Sequence, residues 1–243
     1  MLKEKYIEFR ANKFREEHGM SSSEPVNLYK LLIKLNIITI FKELSEETSG
    51  MAVKTRFGKY ILVNVNDIVA RQNFTLGHEL YHLFIQENFT THKCKVGKFD
   101  KKDKEEYNAD WFASYFLMPE DGLFEIIPVK ELGKDKISQN TIIKLEQYFG
   151  VSRVALLNRL LFIDLISKQK KEELRTIGRI KSNARLLGYD ISQYEPGNYN
   201  KVIGDYGEKA KRLYENESIS ETDFYNLILD IGIDLDKNLE EDV

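Results

Sequence analysis

The sequence predicts an α+β fold, in which a small three-stranded antiparallel sheet packs with helices and precedes an all-helical region. Three short runs rich in β-branched and aromatic residues lie close together, at residues 37–41, 51–55 and 60–65. Most of the remaining chain carries apolar residues at the three- and four-residue spacing of amphipathic helices. These two observations together predict the fold class.

Composition and charge exclude several classes of protein. The chain has 243 residues, of which 42% are hydrophobic and 31% are charged, as in a globular protein of one or two domains. The net charge of −3 predicts no general attraction to nucleic acid or to an anionic membrane. A single cysteine, Cys94, and the absence of an apolar leader or membrane-spanning run predict a cytoplasmic protein.

The first half of the chain is predicted element by element. Residues 2–18 form a helix, and Pro25 suits the first turn of a second helix. Phe57-Gly58 joins the second and third strands as a hairpin. Asn66 or Asp67 then caps a long helix that reaches about Gln86. A polar, lysine-rich loop follows at 88–104, and after it a helix over 104–117 that Pro119 stops.

The second half is predicted to be helical. Residues 138–163 contain two helices around Phe149-Gly150-Val151, an arrangement similar to a helix-turn-helix. A run of Lys and Glu near 167–173 marks the likeliest boundary, which gives one domain over 1–166 and a helical accessory domain over 167–243. In the second domain, helices are predicted at 170–187, 199–216 and 221–231.

His78 and His82 lie four residues apart on the predicted long helix. This spacing places both imidazoles on one face, where they can hold one zinc ion. In an H-E-x-x-H pattern, the intervening acid Glu79 is the general base for water at the metal. The alternative is a helix with two incidental surface histidines, since the pentapeptide by itself is of moderate specificity.

A catalytic zinc site needs a third protein ligand, and the helix over 104–117 offers one. Glu106 projects from the edge of its apolar stripe, where an unpaired carboxylate would be costly. Asp110, one turn further along, can accept a hydrogen bond from a ligating histidine. Glu105 fits the periodicity as well, and only the relation to Asp110 favours Glu106. His92 and Cys94, in the polar loop, form only a weak zinc signal.

The run Arg71 to His82 resembles the signature of the ImmA/IrrE family of metallo-endopeptidases. A second run, Glu106-Tyr107-Asn108-Ala109-Asp110-Trp111-Phe112-Ala113 followed by Leu117-Met118-Pro119, is similar to that family's E-x-x-A-[N/D]-x-F-A pattern. The resemblance covers about residues 25–163 and is much weaker over 170–243. Asn73 and Tyr81 depart from the residues common in the family, but neither is a ligand position.

The resemblance implies zincin-like helices, with His78, His82 and Glu106 as ligands of Zn²⁺ and Glu79 as the base. It also implies a protein substrate, typically a helix-turn-helix repressor of a phage, mobile element or stress system. Tyr107 and Tyr115 are candidate donors to the oxyanion, and the hairpin at 51–65 could offer an edge strand to the substrate.

Two other functions stay open from the sequence. The chain could be a DNA-binding regulator, although helix 152–163 carries many apolar residues and direct nucleic-acid binding is not expected. It could also be a non-catalytic zinc-fold protein that binds a partner, such as one component of a toxin–antitoxin pair. The oligomeric state is not predicted.

Overall fold

The computed structural model describes residues 2–89, 91 and 93–233, and within them the chain has an α+β architecture. The strands are β1 (Ile37–Lys42), β2 (Gly50–Thr55), β3 (Gly58–Asn64), β4 (Lys93–Cys94) and β5 (Val202–Ile203). The helices are α1 (Leu2–Glu17), α2 (Leu28–Lys34), α3 (Val69–Phe84), α4 (Lys104–Leu117), α5 (Glu120–Ile126), α6 (Gln139–Phe149), α7 (Arg153–Phe162), α8 (Lys168–Thr176), α9 (Ile180–Leu186), α10 (Tyr206–Glu215) and α11 (Glu221–Asp230).

The sheet has five strands in the order β4-β2-β3-β1-β5 and is mixed, so the prediction of three antiparallel strands is wrong. The hairpin of β2 and β3 is antiparallel as expected, but β1 runs parallel to β3 in a register that pairs Ile38 with Tyr60. Both faces of β1 are covered, with Ile37 and Ile38 buried alike, as is typical of a parallel strand. The two additional strands, β4 and β5, have only two residues each.

Helices α3 and α4 pack side by side and form the centre of the molecule. Their close approach depends on Gly77, where a Cβ atom would lie 3.2 Å from the Cβ of Ala113. Asp103 caps α4 by accepting hydrogen bonds from the backbone N–H groups of Glu105 and Glu106. This cap fixes the first turn of α4, which carries the predicted third ligand.

Residues 167–233 pack on the first part of the chain through several elements. β5 extends the sheet beside β1, and the Gln72 amide donates to the carbonyl of Gly197. The predicted helix over 170–187 is two helices, α8 and α9, because Ile177 is extended and Arg179 adopts a left-handed conformation with φ of 60°. No described helix is long and apolar enough to cross a bilayer.

A buried ion pair joins α6 to α7. The Arg153 Nε donates to the Glu146 carboxylate at 2.6 Å, and the Tyr194 hydroxyl donates to the same carboxylate at 2.8 Å. The Glu146 side chain is fully buried. Burial raises the pKa of Glu146 above its ordinary value, although Arg153 and Tyr194 act in the opposite direction. The Glu146 carboxylate therefore links the two helices of the helix-turn-helix-like segment to each other and, through Tyr194, to the region after residue 167.

We expect replacement of Arg153 by Met to lower the free energy of unfolding by about 3–5 kcal/mol, because it leaves a buried carboxylate without its cation. Urea unfolding measures this loss. The control is Lys211→Met, which breaks an exposed pair with Glu215 and should change stability by less than about 0.5 kcal/mol. Equal stability of the two variants would show that the Glu146 pair does not stabilise the fold.

Candidate metal centre

Two helices supply the side chains that converge at one point. His78 and His82 lie one turn apart on α3 and are both almost fully buried. Glu106, in the first turn of α4, faces them with a side chain that is 21% exposed. The Glu106 carboxylate is thus accessible to solvent at the edge of the site, whereas the two imidazoles are enclosed.

The distances between the three groups match a tetrahedral metal site. The His78 Nε2 and His82 Nε2 atoms are 3.1 Å apart, and they lie 3.3 Å and 3.2 Å from the two carboxylate oxygens of Glu106. Tetrahedral zinc with bonds of about 2.0–2.1 Å places its ligand atoms about 3.3–3.4 Å apart. These three residues therefore fit one metal ion without rearrangement.

The hydrogen bonds of the imidazoles give independent support for a cation. The Nδ1 atom of His78 lies 3.0 Å from the Asp110 carboxylate, and that of His82 lies 2.6 Å from the Gln86 Oε1. Both partners are acceptors, so both Nδ1 atoms carry hydrogen and both Nε2 atoms present lone pairs. Two lone pairs facing each other and a carboxylate repel unless a proton or a metal ion lies between them.

Asp110 orients His78 and also fastens the loop before α4. Besides the His78 ring, its carboxylate accepts hydrogen bonds from the backbone N–H groups of Gly97 and Phe99, each at 2.8 Å. Asp110 is 2% exposed, and these donors compensate its burial. A carboxylate in this position fixes the tautomer and the direction of a ligating histidine.

The surroundings of His78 also perturb its titration. Burial disfavours its charged form, but its hydrogen bonds with Asp110, Cys94 and Glu106 outweigh burial and raise the pKa of His78 well above its ordinary value. The position thus favours positive charge, which a metal ion supplies as well as a proton does.

Glu79 is buried beside the histidines, on the side of β4. The Cys94 thiol lies 2.5 Å from the Glu79 Oε1 and 3.2 Å from the carbonyl of Gly50. Gly50 is required here, because a Cβ atom would lie 2.4 Å from Thr75 Cγ2 and 3.3 Å from Glu79 Oε1. The sheet therefore approaches α3 closely beside Glu79, the predicted general base.

His78, Glu79 and Cys94 form a second group whose ligand atoms are close enough to hold a metal. Burial, with the neighbouring Glu79 carboxylate, raises the pKa of the Cys94 thiol to about 12. Zinc binding to this group would require the Cys94 thiol to lose its proton. The group of His78, His82 and Glu106 offers imidazole and carboxylate donors and contains the ligand residues predicted from the sequence.

The structure brings together all five predicted site residues: His78, Glu79, His82, Glu106 and Asp110. Glu105, the alternative ligand, instead accepts a hydrogen bond from the Tyr81 hydroxyl at 2.7 Å. His92 lies outside the described residues.

The two candidate oxyanion donors point elsewhere, since Tyr107 donates to Glu4 on α1 and Tyr115 packs under Arg159 on α7. The sequence interpretation missed Gln86. Its position four residues after His82, on the same helical face, is the signal that could have revealed it.

We expect Asp110→Asn to weaken metal binding by about 10–100-fold, because it removes the acceptor that orients His78. Competition with a chromophoric chelator measures the dissociation constant. Asp121→Asn, at an exposed carboxylate of α5, is the control and should bind the metal as the unaltered protein does. Unchanged affinity of the Asp110→Asn protein would contradict the role given to Asp110.

Two histidines and a glutamate around one point, with a buried glutamate next to the first histidine, define a metal-dependent peptidase site. Residues 34–161 match the Peptidase_M78 family, described as the IrrE N-terminal-like domain. This match covers just over half of the chain, which therefore belongs to that family. The chain is a metallo-endopeptidase, in agreement with the ImmA/IrrE resemblance of its sequence.

Two curated proteins are similar to parts of this chain. Metallopeptidase ImmA of Bacillus subtilis (strain 168) is 25% identical over 135 residues, which are 55% of this chain and 76% of that protein. Uncharacterized immunity region protein 2 of Bacillus phage phi105 is 32% identical over 94 residues, which are 39% of this chain and 60% of that protein.

Proposed function

We propose that this protein is a zinc-dependent endopeptidase that cleaves a helix-turn-helix transcriptional repressor of a phage, mobile element or stress system in the cytoplasm. The observation that carries the zinc assignment is the close grouping of His78 Nε2, His82 Nε2 and the Glu106 carboxylate, in which each nitrogen lies 3.2–3.3 Å from one carboxylate oxygen and the nitrogens are 3.1 Å apart. Nitrogen and carboxylate donors in this geometry suit zinc.

In the proposed reaction His78, His82 and Glu106 would hold the metal, and Asp110 and Gln86 orient the two histidines. The bound zinc ion would polarise the scissile carbonyl and lower the pKa of water. Glu79 accepts a proton from the attacking water while the oxygen of that water bonds to the carbonyl carbon. When the C–N bond breaks, Glu79 transfers the proton to the leaving amine.

The sheet edge beside Glu79 suits an extended substrate. β4 pairs with β2 only at Gly50 and Met51, so residues 52–55 of β2 have no strand partner on that edge in the part of the chain that is described. A peptide could add to this edge by main-chain hydrogen bonds and run past the metal group. This supports the earlier expectation that the hairpin binds substrate.

The repressor as substrate is supported by the relatives rather than by the geometry. The protein from phage phi105 is named for an immunity region, and the relative from Bacillus subtilis is named a metallopeptidase. We further propose that residues 1–166 form the peptidase domain and 167–243 an accessory region, since the family match ends at residue 161.

The DNA-binding alternative finds little support in α7. This helix buries most of its length, including Arg153 and Arg159, and the exposed Val154 and Phe162 are apolar. A helix that reads bases needs polar side chains directed outward.

The proposal is tested by incubating the purified, zinc-loaded protein with the helix-turn-helix repressor encoded beside its gene. We expect mass spectrometry to show one internal cleavage, which a chelator abolishes and added zinc restores. An intact repressor under these conditions would contradict the proposed substrate. Stable binding without cleavage would instead favour the partner-binding alternative.

A further inference from the structure

A groove separates the outer face of the sheet from α10. Residues of β1 and β3 alternate between two faces, so Ile61 joins the main core under α3 while its neighbour Tyr60 faces the other way. Tyr60, with its register partner Ile38, lines a cavity of about 610 Å³ whose opposite wall includes Leu213 and Leu227. This volume is typical of pockets that bind a ligand.

The groove combines an apolar floor with cations at its rim. Lys209 and Arg212 are among its lining residues, and none of these residues is acidic. Both cations pair with nearby acids, Lys209 with Asp205 just before α10 and Arg212 with Glu208 on α10. These pairs are exposed, so each contributes little and can exchange for another carboxylate.

The β2–β3 hairpin adds charge and an aromatic side chain at one end of the groove. Phe57 is 74% exposed, and the Arg56 guanidinium lies 4.5 Å from the centre of its ring. Arg56 forms no ion pair with any residue that the structure describes. An anionic partner would supply a counter-charge for it.

We propose that the groove docks an acidic, leucine- or phenylalanine-containing segment of the enzyme's protein substrate, away from the scissile bond. Apolar side chains of that segment would enter the cavity beside Phe57, and its carboxylates would face Arg56, Lys209 and Arg212. Charge complementarity favours this occupant, because the lining contains Lys209 and Arg212 but no acidic residue, and Arg56 lies beside Phe57. The apolar, concave floor favours a peptide over a nucleic-acid backbone.

The claim that the docked segment belongs to the substrate rests on the proposed function. Binding of an acidic peptide to the groove can be tested without any cleavage. The protein used is the full chain with Glu79→Gln, and the probe is a fluorescein-labelled peptide of Glu and Leu, with leucines three and four residues apart. Fluorescence anisotropy should detect binding that Lys209→Glu with Arg212→Glu, or Phe57→Ala, weakens at least about tenfold. The control reversal, Lys168→Glu with Arg175→Glu on α8, should leave the dissociation constant within about twofold, because exposed charges far from the groove act weakly.

The docking proposal is overturned if the peptide does not bind, if a peptide with Lys in place of Glu binds equally well, or if the groove variants retain affinity. The docking proposal is also overturned if a 20-base-pair DNA duplex binds while the peptide does not, and if the groove variants weaken binding of that duplex.

A second measurement tests the assignment to the substrate. In the protein with native Glu79, the Lys209→Glu and Arg212→Glu pair should raise the KM for the repressor about tenfold. Peptide binding with an unchanged KM would show that the groove serves another partner. If the repressor is never cleaved, the proposed function is refuted. The anisotropy measurement would still decide whether the groove binds an acidic peptide.

Discussion

Replacing Glu79 by Gln should leave the metal bound and lower the rate of repressor cleavage by about 10²–10⁴-fold, because the amide cannot accept a proton from water. Glu79 is buried next to His78 but is not one of the three residues in the metal triangle. Zinc content is measured by inductively coupled plasma mass spectrometry, and cleavage is measured by the appearance of the product peptides.

Glu87→Gln is the matched control for this variant. Glu87 lies just after the end of α3 and is exposed, so the same change of charge there should leave both metal content and cleavage rate unaltered. Cleavage by the Glu79→Gln protein at the rate of its control would refute the mechanism. Loss of metal in that protein would instead place Glu79 among the ligands.

Replacing Glu106 by Gln should remove both metal binding and activity. The variant substitutes a neutral amide for the carboxylate that lies 3.2–3.3 Å from both histidine Nε2 atoms. We expect the affinity for zinc to fall by more than the 10–100-fold that is typical when only an outer hydrogen-bond partner of a ligand is lost. Chelator competition and the repressor assay measure the two losses.

Glu105→Gln is a stringent control, because the sequence alone left Glu105 as an alternative ligand. In the structure Glu105 accepts a hydrogen bond from Tyr81, so its replacement should retain the metal and most of the activity. The opposite result, with metal lost only in the Glu105→Gln protein, would reverse the assignment of the third ligand.

The convergence of the candidate metal ligands could be predicted because their spacing follows helical geometry. His78 and His82 are four apart on α3, and Glu106 and Asp110 are four apart on α4, so helical geometry by itself places each pair on one face. Both helices could be located from apolar periodicity, and Pro119 ends the second one close to the predicted residue. Choosing Glu106 over Glu105, however, required the family resemblance.

The sheet was predicted less well because its pairing is not local. The hairpin of β2 and β3 has a recognisable turn. The sequence of residues 37–42, however, does not indicate whether β1 pairs with a neighbouring strand in parallel or antiparallel orientation, and in the structure it is parallel to β3. β4 and β5 have two residues each and depend on their strand partners for their conformation. The contact of Cys94 with Glu79 follows from β4 and could not be foreseen without it.

The break at Arg179 illustrates a different limit. The sequence predicts one continuous helix here, but Ile177 is extended and Arg179 has a left-handed φ of 60°, so α8 and α9 are separate. Gly178, directly before it, was the available signal for an interruption.

X-ray absorption at the zinc edge tests the central claim most directly, because it distinguishes the two groups of residues that could hold the metal. With His78, His82 and Glu106 as ligands, the zinc-loaded protein should show only nitrogen and oxygen neighbours at about 2.0–2.2 Å. A sulfur neighbour at about 2.3 Å would place the metal on Cys94 with His78 and Glu79, and would contradict this account of the active site.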